Sequence, residues 1–163
     1  LMALSDNQLR VTPSILDRLI DLEPREAREA PRSRSTSIRE LKAAVRRDLE
    51  WLLNSRTYID AADPGLEETS RSVAVYGLPD IVGLSAQNHE EQKRLSNALE
   101  LAIRRFEPRF LDLKISMEPP TTTERAIKFR IEANLDMDPV PEPIVFDTVL
   151  QLGTGDFDII DKS

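Results

Sequence analysis

The sequence predicts an α+β domain in which two long amphipathic helices pack on a C-terminal antiparallel sheet of at least three strands, preceded by an extended N-terminal arm. Three observations predict it. Apolar residues recur at steps of three and four behind capping signals at Ser37 and Asn88. Three later runs read as strands, two by strict alternation and one by being apolar on both faces. The helical runs all precede the strand runs, so the order is not the alternation expected of a parallel βαβ sheet. With 163 residues the chain can bury one sizeable core. We divide it into an arm, residues 1–36, and a single α+β domain, residues 37–163.

In the arm, PSILDRLIDL (13–22) sets Ile15, Leu16, Leu19 and Ile20 on one helical face against Asp17, Arg18 and Asp21. A helix of that length is unstable alone in water and must dock on its own domain or on a partner. The stretch EPREAREAPRSRSTS (23–37) carries two prolines, many charges and no apolar residue larger than alanine, so it reads as a flexible tether. Ser37 and Glu40 then have capping-box spacing, and Ile38, Leu41, Val45, Leu49 and Leu52 predict a helix ending near Asn54. Residues 55–87 are interrupted by Gly77, Pro79 and Gly83, which predicts short extended pieces and turns. Asn88 and Glu91 open the second long helix, whose stripe is Leu95, Leu99, Ala102 and Phe106, and Pro108 disfavours helical geometry at Glu107.

The strands follow directly. FLDLKISMEP places Leu111, Leu113, Ile115 and Met117 on one face, and AIKFRIEANLDM places Ile127, Phe129, Ile131, Ala133, Leu135 and Met137 likewise. PIVFDTVLQLG is a central strand or one covered by a partner. If central, Ile144, Phe146 and Leu150 would pack on the helices, with Val145 and Val149 beneath the loop of residues 57–87. LGTGDFD reads as a strand-terminal turn, since it is shorter and sparser than a calcium loop.

Composition narrows the function. A net charge of -7 argues against nucleic acid as the main partner. No apolar run approaches the roughly 20 residues of a membrane span, and the first residues lack a basic region followed by an apolar core, so we expect a soluble protein without a secretory signal. Cysteine is absent, which removes thiolate chemistry and cysteine-bound zinc. His89, the only histidine, lies at a helix start among polar residues and is expected to be solvated. No cofactor or metal site is predicted. Glu107, Asp112, Glu118 and Glu132 are the carboxylates a glycosidase could use, but all except Glu107 lie on a polar strand face, so no catalytic residue is assigned.

The stretch RRFEPRFLDLKIS leaves one question, because the second helix ends in Glu107-Pro108-Arg109 where glycine is commoner. Two charges two positions apart in extended chain point the same way. They form either a local, exposed ion pair, worth at most about 1 kcal/mol, or a rigid recognition element offering an arginine fork and a carboxylate.

The passages RSRSTSIRELKAAVRRDLEWLLNSR, SVAVYGLPDIVGLS and RRFEPRFLDLKIS, with IVFDTVLQLGTG in support, together resemble the TssE family of type VI secretion baseplate subunits. More distantly they resemble the wedge protein that starts sheath assembly in contractile phage tails. The resemblance implies a non-enzymatic assembly subunit of a cytoplasmic baseplate docked at the inner membrane of a Gram-negative bacterium. Its implied partners are the wedge subunits TssF and TssG, the associated TssK, and sheath subunits. It implies that Glu107, Pro108 and Arg109 contact the helical bundle of the wedge, and that reversing Arg109 to glutamate abolishes that contact without altering melting. It further implies that a C-terminal strand, through Val145, Asp147, Val149 and Gln151, accepts arms of the first sheath subunits. Val75 stands where the family pattern leads us to expect asparagine. The competing function class is a carboxylate-dependent, lysozyme-like cell-wall hydrolase, and a third is an acidic adaptor with an unrelated partner.

Overall fold

A computed structural model describes residues 15–20, 34–57, 65, 67–70, 72–81, 83, 85, 88–118 and 126–161. The elements run α1 (Ile15–Leu19), α2 (Arg34–Asn54), α3 (Glu67–Ser70), a 3-10 turn at Val73–Val75, α4 (His89–Phe106), then β1 (Phe110–Met117), β2 (Ala126–Leu135), β3 (Glu142–Gln151) and β4 (Phe157–Asp161). The four strands form one antiparallel sheet in the order β1-β2-β3-β4. The two long helices touch each other, α4 against β1 and α2 against β4. Val45, Leu49 and Leu53 of α2 and Leu95, Leu99 and Ile103 of α4 join Phe129, Ile131, Phe146 and Leu150 of the sheet in a single buried cluster. Each such side chain contributes about 1.5–3 kcal/mol by leaving water, and this packing, more than helix propensity, holds α2 and α4 in place.

The predicted α+β architecture is present, with differences that have local causes. Helix α2 begins at Arg34, three residues before the predicted start, so Ser37 lies inside the helix. Residues 34–36 contain neither proline nor glycine and can extend a helix that packing already holds. Helix α1 spans five residues of the ten predicted, and most of the proposed tether lies outside the described residues. At α4 the Asn88 carboxamide accepts from the backbone N–H groups of Glu90 and Glu91, as a cap should. Glu91 completes the motif differently, its carboxylate accepting from Ser85 N–H at 2.6 Å.

Where short extended pieces and turns are predicted, the described residues hold a helical turn at Glu67–Ser70 and the 3-10 turn, which Ser72 caps by accepting from Ala74 N–H. Among the described residues, the extended contact of this region is a parallel bridge between Arg56 and Leu78. Leu78 N–H donates to Ser55 O and Thr57 N–H to Leu78 O, each at 2.9 Å. Gly77 makes this approach feasible, since a Cβ there would lie 2.5 Å from Ser55 O and its φ is +107°.

Strand β1 departs from the predicted alternation. Leu111 pairs with Asn134 and Lys114 with Glu132, so three steps on β1 oppose two on β2. This bulge places Asp112 at φ 52°, a left-handed conformation that aspartate tolerates, and its carboxylate accepts from the Asn134 amide. The bulge turns Phe110 and Leu113 inward and leaves Leu111 37 % exposed. Strand β2 buries the five residues predicted for it, and Met137 beyond its end is buried too.

Strand β4 was not anticipated, because FDIID is short and half acidic. Tertiary contacts define it. Phe157 and Ile159 are buried, and the Asn54 carboxamide both accepts from Phe157 N–H (2.8 Å) and donates to Phe157 O (3.0 Å). The guanidinium of Arg56 donates to Leu53 O at 3.0 Å and to Gly155 O, joining the end of α2 to the turn before β4. The predicted turn in LGTGDFD is present at residues 152–154.

Candidate functional site

Helix α4 stops because proline follows Glu107, whose backbone leaves helical geometry at φ -123° and ψ 75°. Its N–H still donates to Ile103 O at 2.8 Å, and Phe110 N–H donates to Glu107 O at 3.2 Å. The tight exit folds Arg109 back on Glu107. Arg109 Nε donates to Glu107 Oε1 and Nη2 to Oε2, both at 2.5 Å, in a bidentate pair. Nη2 also donates to Asp48 Oδ2 on α2 at 2.8 Å.

The charges continue beyond the triplet. Arg47 donates through Nε and Nη2 to Asp48 Oδ1, at 3.1 and 2.7 Å, and Nη2 reaches Asp17 Oδ1 of α1 at 2.8 Å. Five charged residues, Asp17, Arg47, Asp48, Arg109 and Glu107, therefore alternate in sign from the arm to the helix exit. The Arg47 guanidinium also lies 5.3 Å from the centre of the Trp51 ring, in cation–π range.

The triplet is more buried than an exposed ion pair would be. Glu107 is 4 % exposed, so the pair is not the solvated ion pair of an ordinary surface. Both oxygens of its carboxylate accept from Arg109. Pro108 is exposed, and the Arg109 side chain keeps 17 % of its surface. Among the described residues Arg109 Nη1 has no hydrogen-bond acceptor. The triplet is a brace that fixes Pro108 and the guanidinium against α2. Reversing the charge of Arg109 would bring three carboxylates together at positions 48, 107 and 109, so the expectation that this change leaves melting unaltered is withdrawn.

Burial alone would lower the Arg109 pKa, but the hydrogen bonds and charge of Glu107, then those of Asp48, outweigh it and the pKa lies above its ordinary value. Arg109 is charged at every accessible pH. Tyr76 joins the site through an edge-on contact with Phe106, ring centres 5.0 Å apart. Burial first, and the charges of Asp48 and Glu107 second, push its phenol pKa upward.

These groups surround an open cavity of about 470 Å³. Its lining comes from Ile15 and Leu16 of α1, Asp48, Leu49, Trp51 and Leu52 of α2, Tyr76 of the loop, and Phe106 with the triplet at the end of α4. Trp51 is 53 % exposed there. Sequence reasoning singled out the triplet but missed Arg47, Asp48 and Trp51. One signal was available, a single tryptophan on a predicted solvent side. The Asp48–Arg109 contact spans 61 residues and leaves no local trace.

The other candidate residues fall elsewhere. Val145, Asp147, Val149 and Gln151 share the face of β3 turned from the helices. Val145 is 37 % exposed, and Asp147 accepts from Arg130 Nε at 2.9 Å. Strand β3 is central, with β2 on one side along its length and β4 on the other over Phe146–Leu150. Over Phe146–Leu150 both sides of β3 are therefore paired, and the outer strands of the sheet are β1 and β4. Phe157 directs its N–H and C=O outward to Asn54, so strand alternation turns those of Ile159 and Asp161 the same way.

Among the carboxylates weighed for hydrolysis, Glu107 is held by Arg109, Asp112 by Asn134, and Glu118 lies near Arg130. His89 is exposed, and Val75 is buried at 4 % exposure, where it offers a partner no surface. Among the described residues no cluster of three or more histidines and carboxylates could hold a metal, and no helix is long and apolar enough to cross a membrane.

A family model described as baseplate wedge protein gp25 matches residues 39–140, from the first turns of α2 to just beyond β2. The matched stretch includes Arg47, Asp48, Trp51, Tyr76 and the whole triplet. No curated protein matches the chain.

Proposed function

Because the chain belongs to the baseplate wedge protein gp25 family, we propose that it is a non-enzymatic structural subunit of a contractile injection baseplate, of the TssE type found in type VI secretion. It joins the wedge through the surface around Glu107-Pro108-Arg109, and its sheet seeds sheath assembly. The observation that carries the wedge contact is the cavity beside the triplet. An exposed tryptophan, an exposed proline and a braced guanidinium border an apolar depression large enough for two or three side chains, the composition of an interface centre. A helix presenting aliphatic anchors fits it, as a subunit of the TssF and TssG kind would supply, with TssK joining through them. Glu107 and Arg109 act here chiefly by holding the surface in shape.

For the sheath contact the support is different. Val145, Asp147, Val149 and Gln151 share one face of β3, and Asp147 and Val149 lie where β3 is paired on both sides. An added sheath arm would pair with β4, at the outward rungs of Ile159 and Asp161 beyond the one Asn54 occupies. Such a subunit works in the cytoplasm, on a baseplate docked at the inner membrane.

The test is co-expression of the tagged chain with the wedge subunits, comparing wild type with Trp51→Asp and Pro108→Ala. Both positions are exposed, but Trp51 stacks on Arg47 and Pro108 ends α4, so melting is measured beside capture and a variant counts only where its melting stays close to wild type. Capture of the wedge should be lost with Trp51→Asp and weakened with Pro108→Ala. Undiminished capture by both variants would refute the assignment of this surface.

A further inference from the structure

The cavity beside the triplet is lined in part by the chain's own arm, and α1 sits there in an unusual way. Its Leu16 is 36 % exposed, while Ile15 and Leu19 are 79 % and 76 % exposed. An isolated helix of five residues has no stability of its own, and this one leaves most of its apolar surface uncovered. One of its polar contacts is at Asp17 Oδ1, which accepts from Arg47 Nη2 at 2.8 Å. Arg47 is independently aimed, because Asp48 holds the guanidinium from one side and Trp51 stacks on it.

We propose that α1 is a displaceable lid on this cavity, and that Arg47, now held by Asp17, receives an acidic side chain of the wedge partner once the lid leaves. The inference rests on the wedge-binding reading of the site and adds its regulation and partner chemistry. The occupant is an amphipathic helix in which two adjacent aliphatic residues precede an aspartate or glutamate, the pattern Ile15-Leu16-Asp17 that borders the site in this chain. Charge complementarity picks the acid. Arg109 is engaged by two carboxylates of fixed elements, whereas the Arg47–Asp17 bond joins a long packed helix to a five-residue one whose apolar side chains are largely exposed. Displacement exchanges one carboxylate for another on the same guanidinium, so it leaves no buried charge unpaired.

The experiment uses the full-length chain as wild type, Asp17→Ala and Arg47→Gln, with two readouts. Acrylamide quenching of Trp51, the only tryptophan, reports whether the lid is seated, and titration of purified wedge subunits reports affinity. Asp17→Ala should raise Trp51 quenching by freeing the lid, and Arg47→Gln should raise it further because it also removes the guanidinium stacked on the ring. Asp17→Ala should then bind the wedge up to about fivefold more tightly, the size of effect one partly exposed ion pair supports. Arg47→Gln should bind at least several-fold more weakly than wild type despite its open lid. Unchanged quenching in Asp17→Ala overturns the lid. Tighter binding by Arg47→Gln, matching Asp17→Ala, overturns the role of Arg47. If wild type and both variants all fail to bind, the wedge-binding reading and the role of Arg47 fall together, and quenching alone decides the lid.

Discussion

Arg109→Ala isolates the brace at the end of α4. In the wild type the guanidinium donates twice to Glu107 and once to Asp48. Its removal leaves the Glu107 carboxylate at 4 % exposure with neither donor, while the backbone bonds that end the helix persist. Breaking a buried pair from one side costs about 3–5 kcal/mol. Here the adjoining cavity is open and Arg109 retains 17 % of its side-chain surface, so water can reach the orphaned carboxylate and the lower end applies. We expect a loss of about 3 kcal/mol. At roughly 1–3 kcal/mol per molar of urea, the midpoint should fall by about 1 M or more, read by circular dichroism of the helices. Adding Glu107→Gln should recover part of the loss, since the pair is then removed whole. A loss below about 1 kcal/mol would refute the reasoning, because the pair would then behave as a solvated surface ion pair.

Two further outcomes follow from neighbouring features. Gly77→Ala should destabilise by more than about 2 kcal/mol in the same urea assay, because the added Cβ meets Ser55 O at 2.5 Å and the positive φ strains any side chain; wild-type stability would show that the Arg56–Leu78 bridge does not form. The phenol of Tyr76 is pushed above its ordinary pKa, so it stays protonated in the folded state after the unfolded chain has ionised. Its contribution to stability is fully present below about pH 10, the unfolded value, and is lost as pH rises through the higher folded value. The difference between ultraviolet titrations of wild type and Tyr76→Phe should place its ionisation above that of a free tyrosine, and a midpoint at or below the free value would contradict its burial beside Asp48 and Glu107.

What the sequence determined by itself was whatever short-range chemistry governs. Steps of three and four located α2 and α4, Asn88 capped the second of them, and the period of two in AIKFRIEANL assigned the faces of β2. The exit at Glu107-Pro108-Arg109 was legible because proline restricts the residue before it, whatever the surroundings. Residues far apart in the chain set the rest. The bulge at Asp112 turned Leu111 outward because β2 sets the register, and β4 became a strand because Asn54, 103 residues away, takes both polar groups of Phe157. The character of the triplet was decided in the same way. Two charges flanking a proline read as solvated or as recognition prongs until Asp48, 61 residues earlier in the chain, met Arg109 and the surrounding helices excluded water. Local pattern carries the preference of each backbone segment, but the worth of a charge depends on what the fold places beside it and how much water remains there.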